Sequence, residues 1–229
     1  MKILVTGDIH ADFSMLNKLI NRKRPELVIC AGDFGYWPKF ERYSFSDIKP
    51  QGATILWIDG NHEDHWSLRD RETDELAPNV IYKPRGSTHT LDDGRKILFM
   101  GGAESIDKDL RVLGRDWFPE EVIRGCDMYN LPEEKIDIII SHTCPLELVD
   151  TMIQYYPEKR GEPSNKALTE LWKIYEPSLW IFGHWHYYKE GMMGNTKWYS
   201  LSYPRQGSRW WMWLPTKEVM ESYNQGKSS

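Results

Sequence analysis

The sequence predicts an α/β chain in which two sheets carry helices on their outer sides. Three observations lead there. Near the start, an apolar run, Ile3-Leu4-Val5, is followed by a helical pattern and then by a second run, Leu27-Val28-Ile29-Cys30-Ala31. Strand, short helix, strand is the pattern of a right-handed parallel crossover. Further on, Thr88-His89-Thr90-Leu91 and Lys96-Ile97-Leu98-Phe99-Met100 flank the turn signal Asp93-Gly94, so antiparallel strands join the parallel ones. Finally, five apolar runs stop at a glycine or serine that is followed at once by Asp, Asn or His. Open α/β folds place their ligands at that edge, outside the carboxyl ends of the strands.

Taken in order, Ile3-Leu4-Val5 is a buried strand ending in Thr6-Gly7-Asp8-Ile9-His10. Asp8 and His10 are two apart, so in extended chain they point the same way. Phe13, Leu16, Leu19 and Ile20 fall at helical spacing, Asp12 and Ser14 are candidate caps, and Pro25 follows the end. The second strand stops at Gly32-Asp33. The aromatic stretch from Phe34 to Tyr43 has no clean period and reads equally as core or as a wall above Asp33. Thr54-Ile55-Leu56-Trp57-Ile58 is a third strand, ending in Asp59-Gly60-Asn61-His62-Glu63, and a short helix is expected from His65 to Asp70. Ile81-Tyr82 reads as a further strand. Gly101 to Phe118 reads as a charged loop, and Pro119-Glu120-Glu121 as a helix start. Ile136 to Ile140 is the next buried strand, ending in Ser141-His142.

Residues 146–165 contain Tyr155, Tyr156, Pro157, Gly161 and Pro163 and read as an irregular excursion. A short helix from Ala167 to Tyr175 and a strand, Leu179 to Phe182, come next, the strand ending in Gly183-His184-Trp185-His186. Trp198 to Leu201 and Trp210 to Trp213 read as closing strands. The expected organisation is a single domain over residues 1–215 with a polar tail over 216–229, free to fray.

Composition narrows the function classes. Of 229 residues 40% are hydrophobic and 11 are tryptophan, enough for a sizeable core. The net charge of -5 argues against coating nucleic acid through bulk charge, though it leaves room for a local basic groove. Cys30, Cys126 and Cys144 are few, odd in number and far apart, so a disulfide framework is not expected. The first residues do not read as a signal peptide, and no apolar run approaches the roughly 18 residues of a membrane span. A soluble cytoplasmic protein with no membrane partner is the expectation; oligomeric state is not legible.

The strand ends together present Asp8, His10, Asp33, Asn61, His62, His142, His184 and His186. Five of the seven histidines lie there; His65 and His89 do not. One histidine at a strand end is usually structural. Five strand ends bearing imidazole, carboxylate and amide are not readily explained by packing, because unpartnered buried polar groups cost about 2–7 kcal/mol each. A metal offsets that cost by accepting their lone pairs. Nitrogen and oxygen donors without cysteine suit divalent Mn, Fe, Zn or Co. So many donors exceed one tetrahedral site and suit two ions roughly 3.5–4 Å apart, as in two-metal hydrolases acting at phosphorus.

The series Gly7-Asp8-Ile9-His10, Gly32-Asp33, Gly60-Asn61-His62-Glu63, Ser141-His142 and Gly183-His184-Trp185-His186 resembles the calcineurin-like metallophosphoesterase superfamily. The resemblance implies a four-layer α/β/β/α sandwich with two mixed sheets. It implies that Asp8, His10 and His186 hold one metal, that Asn61, His142 and His184 hold a second, and that Asp33 bridges them. It further implies that His62 steadies the phosphate and protonates the leaving oxygen, and that the attacker is a metal-bridging hydroxide with no covalent enzyme intermediate. Two divalent ions are expected as cofactors (Mn, Fe, Zn, Co or Ni), with manganese the ion for in vitro work. The expected partner is a phosphoester, with nucleotides and nucleic acid among the candidates.

The protein Ser/Thr phosphatase branch reads G-D-x-x-D-R-G at the second motif and Ser-Arg after GNHE. Here Gly32-Asp33 is followed by Phe34-Gly35-Tyr36-Trp37-Pro38, and Glu63 by Asp64-His65. The expectation therefore tilts to phosphodiesters, with a protein-phosphatase-type monoesterase or a non-catalytic scaffold on the same fold as alternatives. Gly101-Gly102-Ala103-Glu104-Ser105 resembles a stretch in bacterial and phage members. Other chemistries fit less well. His62-Glu63-Asp64-His65 is one residue short of HExxH. No Gly-x-Ser-x-Gly elbow and no Gly-Lys-Ser/Thr is present. Cys144 lies near His142 but no arginine follows a cysteine six residues later, and Cys30 reads as core. Arg111, Arg115, Lys39 and Arg42 read first as solvated charges and second as substrate contacts. Tyr187 and Tyr188 read first as packing and second as a stacking platform.

Overall fold

In the computed structural model, residues 1–40, 44–129, 131–153, 162–206 and 209–225 are described. Strand alternation builds the layers. In β1 (Ile3–Thr6) and β2 (Leu27–Cys30), Ile3, Val5, Leu27 and Ile29 face one way while Leu4, Val28 and Cys30 face the other, and all are buried. Burial on both faces is what central parallel strands require. The same holds for β3 (Thr54–Trp57), β7 (Lys96–Met100), β8 (Ile138–Ser141) and β9 (Leu179–Phe182).

Two six-stranded sheets result. The first adds β4 (Glu75–Ala77), β5 (Val80–Tyr82) and β12 (Trp211–Trp213), in the order β12-β1-β2-β3-β5-β4. The second adds β6 (Thr88–Thr90), β10 (Lys189–Met193) and β11 (Thr196–Ser200), in the order β10-β11-β9-β8-β7-β6. Each has a parallel centre and antiparallel edges, so both are mixed. Ile3, Val5 and Ile29 of the first sheet meet Ile97, Phe99, Ile138, Ile140 and Ile181 of the second in one central apolar layer. Outside the first sheet, α1 (Phe13–Lys23) lays Phe13, Leu16, Leu19 and Ile20 on Leu4, Val28 and Ile55. Its cap is Asp12, whose carboxylate accepts from Met15 N. Outside the second sheet, α3 (Leu146–Met152) and α4 (Pro163–Tyr175) bury Leu148, Val149, Leu168 and Leu171 against Leu98, Ile139 and Trp180. The layers are therefore α/β/β/α.

Some expectations are corrected here. The stretch read as irregular from residue 146 contains α3, and α4 begins at Pro163 rather than at Ala167. Proline is tolerated there because the first helical residue has no intrahelical use for its N–H. Tyr155, Tyr156, Pro157 and Gly161 lie outside the described residues. Pro119–Glu121 is a single 3-10 turn, and Lys217–Gln225, read as frayed tail, is a helix, α5, that buries Met220 in the central layer. Strands β4 and β10 carry charged residues on sheet edges, which hid them from an apolar-run reading. The helix expected at His65 forms as α2 (His65–Arg69), capped by Asp64. No described helix is long and apolar enough to cross a membrane.

One buried ion pair ties the long loop after β7 to the first sheet. The Arg85 guanidinium, 7% exposed, donates to Asp59 Oδ2 at 2.6 Å and to Asp127 Oδ2 at 3.0 Å. It also donates to the carbonyls of Glu120, Glu121 and Val122 at 3.0, 2.9 and 2.6 Å. Arg85→Met should leave the buried Asp59 carboxylate without its cation and lower stability by about 3–5 kcal/mol, read as a lower urea midpoint at unchanged slope.

Candidate metal centre

Every expected site residue follows the carboxyl end of a parallel strand. Asp8 and His10 follow β1, Asp33 follows β2, Asn61 and His62 follow β3, His142 follows β8, and His184 and His186 follow β9. Because the two sheets pack face to face with these ends on one side, five separate loops meet. The meeting is tight enough to demand glycine. A Cβ on Gly32, whose φ is +97°, would lie 2.1 Å from His142 Nδ1, and one on Gly60 would lie 2.1 Å from Asp33 Oδ1. His10, Asp33, His184 and His186 themselves adopt left-handed backbone, with φ of 48°, 42°, 66° and 59°. Such strain persists where the surroundings over-determine it, often at functional sites.

Two clusters form. In the first, His186 Nε2 lies 3.0 Å from Asp8 Oδ2, and His10 Nε2 lies 3.0 Å from His186 Nε2 and 3.7 Å from Asp33 Oδ2. Ligand atoms of Asp8, His10, Asp33 and His186 all fall within 4.8 Å of one another, close enough to share an ion. In the second, Asn61 Oδ1 lies 3.1 Å from His142 Nε2 and 3.0 Å from His184 Nδ1, while Asp33 Oδ1 lies 3.4 Å from His142 Nε2. Asp33 thus turns one oxygen to each cluster, its Oδ1 also accepting from His62 N at 2.8 Å. Asp8 Oδ1 accepts from His184 N at 2.9 Å, which fixes the carboxylate.

The donor chemistry fits cations. His142 Nδ1 stands 3.0 Å from the carbonyl oxygen of Ala31 and so carries the proton. Without a second proton its Nε2 would turn a lone pair to two oxygens, and His184 Nδ1 faces the same amide oxygen. Lone pairs that converge in this way need a proton or a metal between them. Electrostatics agree. Burial opposes charge on Asp8 and Asp33, yet the His186 hydrogen bond holds Asp8 below the ordinary carboxylate range, and the His142 charge holds Asp33 well below it. Burial likewise opposes charge on His142, but Asp33 outweighs it and lifts the imidazole to about 10. Burial, then the charge on His142, pushes His184 down to about 3. Glu63 accepts from Gly35 N and Gly60 N at 3.0 and 2.6 Å. Burial and then Asp33 push it up to about 8, so it ties two loops together and faces no opening.

His62 stands between the clusters and solvent, its ring edge-on to His10 with centroids 5.1 Å apart. Burial, reinforced by His10 and Arg111, lowers its pKa. The guanidinium of Arg111 donates to His62 Nε2 at 3.1 Å and is held by Asp107 at 2.7 Å. At 11% exposure Arg111 is not a solvated loop charge, contrary to the first reading of it. Arg115, 63% exposed, pairs with Asp116, and Lys39 pairs with the helix cap Asp64. Arg42 lies outside the described residues. In the aromatic stretch, Phe34 stacks on Trp57 in the core, whereas Trp37 and Phe40 line a cleft beside His62. Tyr187 donates its hydroxyl to Met152 O and Tyr188 lies under Arg209, so both pack. Cys144 is buried, and burial pushes its thiol up, which removes it as a nucleophile.

Three neighbours escaped the sequence reading. Tyr203 follows β11, its ring centroid 4.6 Å from that of His186. Ser105, on the loop after β7, accepts from Asn61 Nδ2 at 3.1 Å, and Glu121 accepts from Ser105 Oγ at 2.7 Å. These strands end without histidine or a motif carboxylate, so the signal that marked the other five was missing.

A model of the calcineurin-like phosphoesterase family matches residues 1–188, a span that holds every residue of both clusters. CWF19-like protein 1 from Pongo abelii is 28% identical over 130 residues, covering 53% of this chain and 24% of that protein. The Homo sapiens protein of that name is 27% identical over 130 residues with the same coverage. The chain thus spans about a quarter of the length of the curated relatives it matches. In fold it is similar to phosphopantetheinyl hydrolase (PptH) from Mycobacterium tuberculosis, with a TM-score of 0.61, 15% identity and coverage of 95% and 97% of the two chains. TT1561 of Thermus thermophilus gives a TM-score of 0.54 at 16% identity, covering 88% of each chain. With mixed sheets, converging ligands and a family match through both clusters, the chain belongs to the calcineurin-like phosphoesterase family.

Proposed function

We propose that this chain is a binuclear metal-dependent phosphoesterase that prefers phosphodiesters. The observation that carries the reading is Asp33, which offers one carboxylate oxygen to each of two ligand clusters. Asp8, His10 and His186 would hold one ion and Asn61, His142 and His184 the other. When bound, such a pair makes water nucleophilic near neutral pH and neutralises charge on the phosphoryl oxygens. Manganese, iron, zinc, cobalt and nickel all suit these nitrogen and oxygen donors.

The chain's own residues do the rest. Arg111 presents a guanidinium at the mouth of a cleft of about 510 Å³ whose floor includes Asp33, Asn61 and His184. A phosphoryl oxygen there would draw Arg111 into a charge-assisted pair. That would free His62 Nε2, which Arg111 engages, to take a proton from solvent and pass it to the leaving oxygen. Diesters fit because His10, His62 and His186 stand where this cleft meets two others, of about 1070 and 400 Å³. Both arms of a disubstituted phosphate have somewhere to go. The aromatic side chains of Trp37 and Phe40 beside His62 support nucleotides and nucleic acid ends as candidate substrates.

With manganese, bis-nitrophenyl phosphate should turn over faster than mono-nitrophenyl phosphate; faster monoester hydrolysis with Mn, Ni, Co, Zn and Mg alike would overturn the preference. His62→Ala should keep two ions by elemental analysis while kcat falls by about 10²–10⁴-fold. Loss of both ions would remove His62 from the role of acid. Arg111→Ala should lower kcat/KM about tenfold to hundredfold, the worth of a charge-assisted hydrogen bond, in steady-state assays on the diester.

A further inference from the structure

We propose that Ser105 and Glu121 are positioning residues that set which way the Asn61 amide faces, and so decide whether the second metal position can fill. The inference rests on the two-metal reading above. Asn61 is a poor ligand by default. Its amide has an oxygen on one side and an NH2 on the other, of nearly the same shape, and only the oxygen binds a cation. Something must hold the oxygen toward His142 and His184. Neither imidazole can do so once its lone pair faces a metal.

The geometry supplies the missing constraint on the other side of the amide. Asn61 Nδ2 donates to Ser105 Oγ at 3.1 Å. A hydroxyl can donate or accept, so by itself Ser105 would tolerate either face of the amide. Burial pushes the Glu121 carboxyl up to about 7, and in its ionised form, above that pH, it removes the choice. Its Oε2 takes the Ser105 hydroxyl proton at 2.7 Å, leaving only lone pairs for Asn61. The carboxylate is fixed in turn. Its Oε1 accepts from Ser105 N at 2.6 Å and from Trp117 Nε1 at 3.1 Å. Both residues are 1% exposed, so water does not compete for these bonds. The backbone carrying Glu121 is gripped by Arg85, which donates to Glu121 O at 2.9 Å and is itself paired with Asp59, two residues before Asn61. The relay therefore starts and ends on the loop after β3.

The polarity of this relay makes a sharp prediction for Glu121→Gln, a nearly isosteric change. Ser105 N and Trp117 Nε1 retain the Gln oxygen, so the Gln NH2 faces Ser105 and donates to it. The Ser105 proton then turns toward Asn61, and the amide turns its oxygen to meet it and its NH2 toward His142 and His184. A cation has lost its ligand and gained a clash of like dipoles. Ser105→Ala removes the constraint without reversing it and should act in the same direction, more weakly. In an Asn61→Asp background both faces are oxygen, so Glu121→Gln can no longer swap a ligand for an NH2; it frees the Ser105 proton for the new carboxylate and should not weaken the site.

The test is calorimetric titration of metal-free protein with Mn²⁺, with thermal midpoints measured in parallel. Wild type should bind two ions. Glu121→Gln should weaken one site by about tenfold to hundredfold, the usual range for a partner that orients a ligand, and leave the other within about twofold. The Asn61→Asp/Glu121→Gln protein should bind no more weakly than Asn61→Asp does. Two undiminished affinities in Glu121→Gln and Ser105→Ala would overturn the inference while leaving the two-metal reading intact. Equal loss at both sites with a fallen thermal midpoint would also overturn it, by assigning Glu121 to the fold. No manganese uptake by wild type would overturn the two-metal reading and this inference with it.

Discussion

The constraint on which the rest depends is electrostatic. Asp8, Asp33 and His142 are essentially removed from water, and His184 stands against them. Isolated charges so placed are unfavourable by many kcal/mol. Here they are tolerated because each carboxylate meets an imidazole or a backbone N–H, and because their free lone pairs point to shared positions. The opposite displacement of His142 and His184 from the ordinary imidazole range is the same fact seen from the proton's side. Asp33 accounts for the rise of His142, and burial, the larger cause, for the fall of His184, so positive charge rests on the imidazole that faces the carboxylate.

The fold meets this constraint by rigidity. Each candidate ligand sits within a few residues of the end of a strand buried on both faces, so its backbone has little freedom before the chain turns. Glycine at the turns allows the loops to approach within a distance that a methyl group would forbid. Glu63 reinforces the arrangement by accepting from Gly35 and Gly60, stitching the β2 and β3 loops together. Arg85 does the same from the side, joining the β3 loop to the long segment after β7. The loop that carries Arg111 is held more lightly. Ile106, Leu110 and Val112 are exposed, and Arg111 alone among this run turns inward to His62. Donors on strand ends and an arginine on a more exposed loop suit the proposed reaction, in which bound ions would stay fixed while the substrate moves.

Much of this is legible in the residues because the chemistry is local. An apolar run that ends in Gly-Asp or Gly-His carries both the strand and its cargo in one short string, so the ligands and the mixed α/β fold can be read together. The edges are harder. Strands β4 and β10 hold charged residues, and α3 follows a proline, so their burial depends on neighbours far along the chain. Arg111 is misleading for the same reason. On the chain it is one charge among Lys108, Asp109 and Arg115; in space Asp107 and His62 draw it out of solvent.

What the sequence determined by itself is the inventory: five strand ends loaded with nitrogen and oxygen donors, glycines where loops must touch, and a family pattern that runs to residue 188. What tertiary structure decided is orientation. Whether Asp33 faces one cluster or two, which face Asn61 turns inward, and whether Ser105 matters at all are set by side chains far along the chain. The physical reason is that composition and spacing specify which lone pairs exist. Their directions depend on hydrogen bonds made across the gap between two sheets, and no local string encodes those.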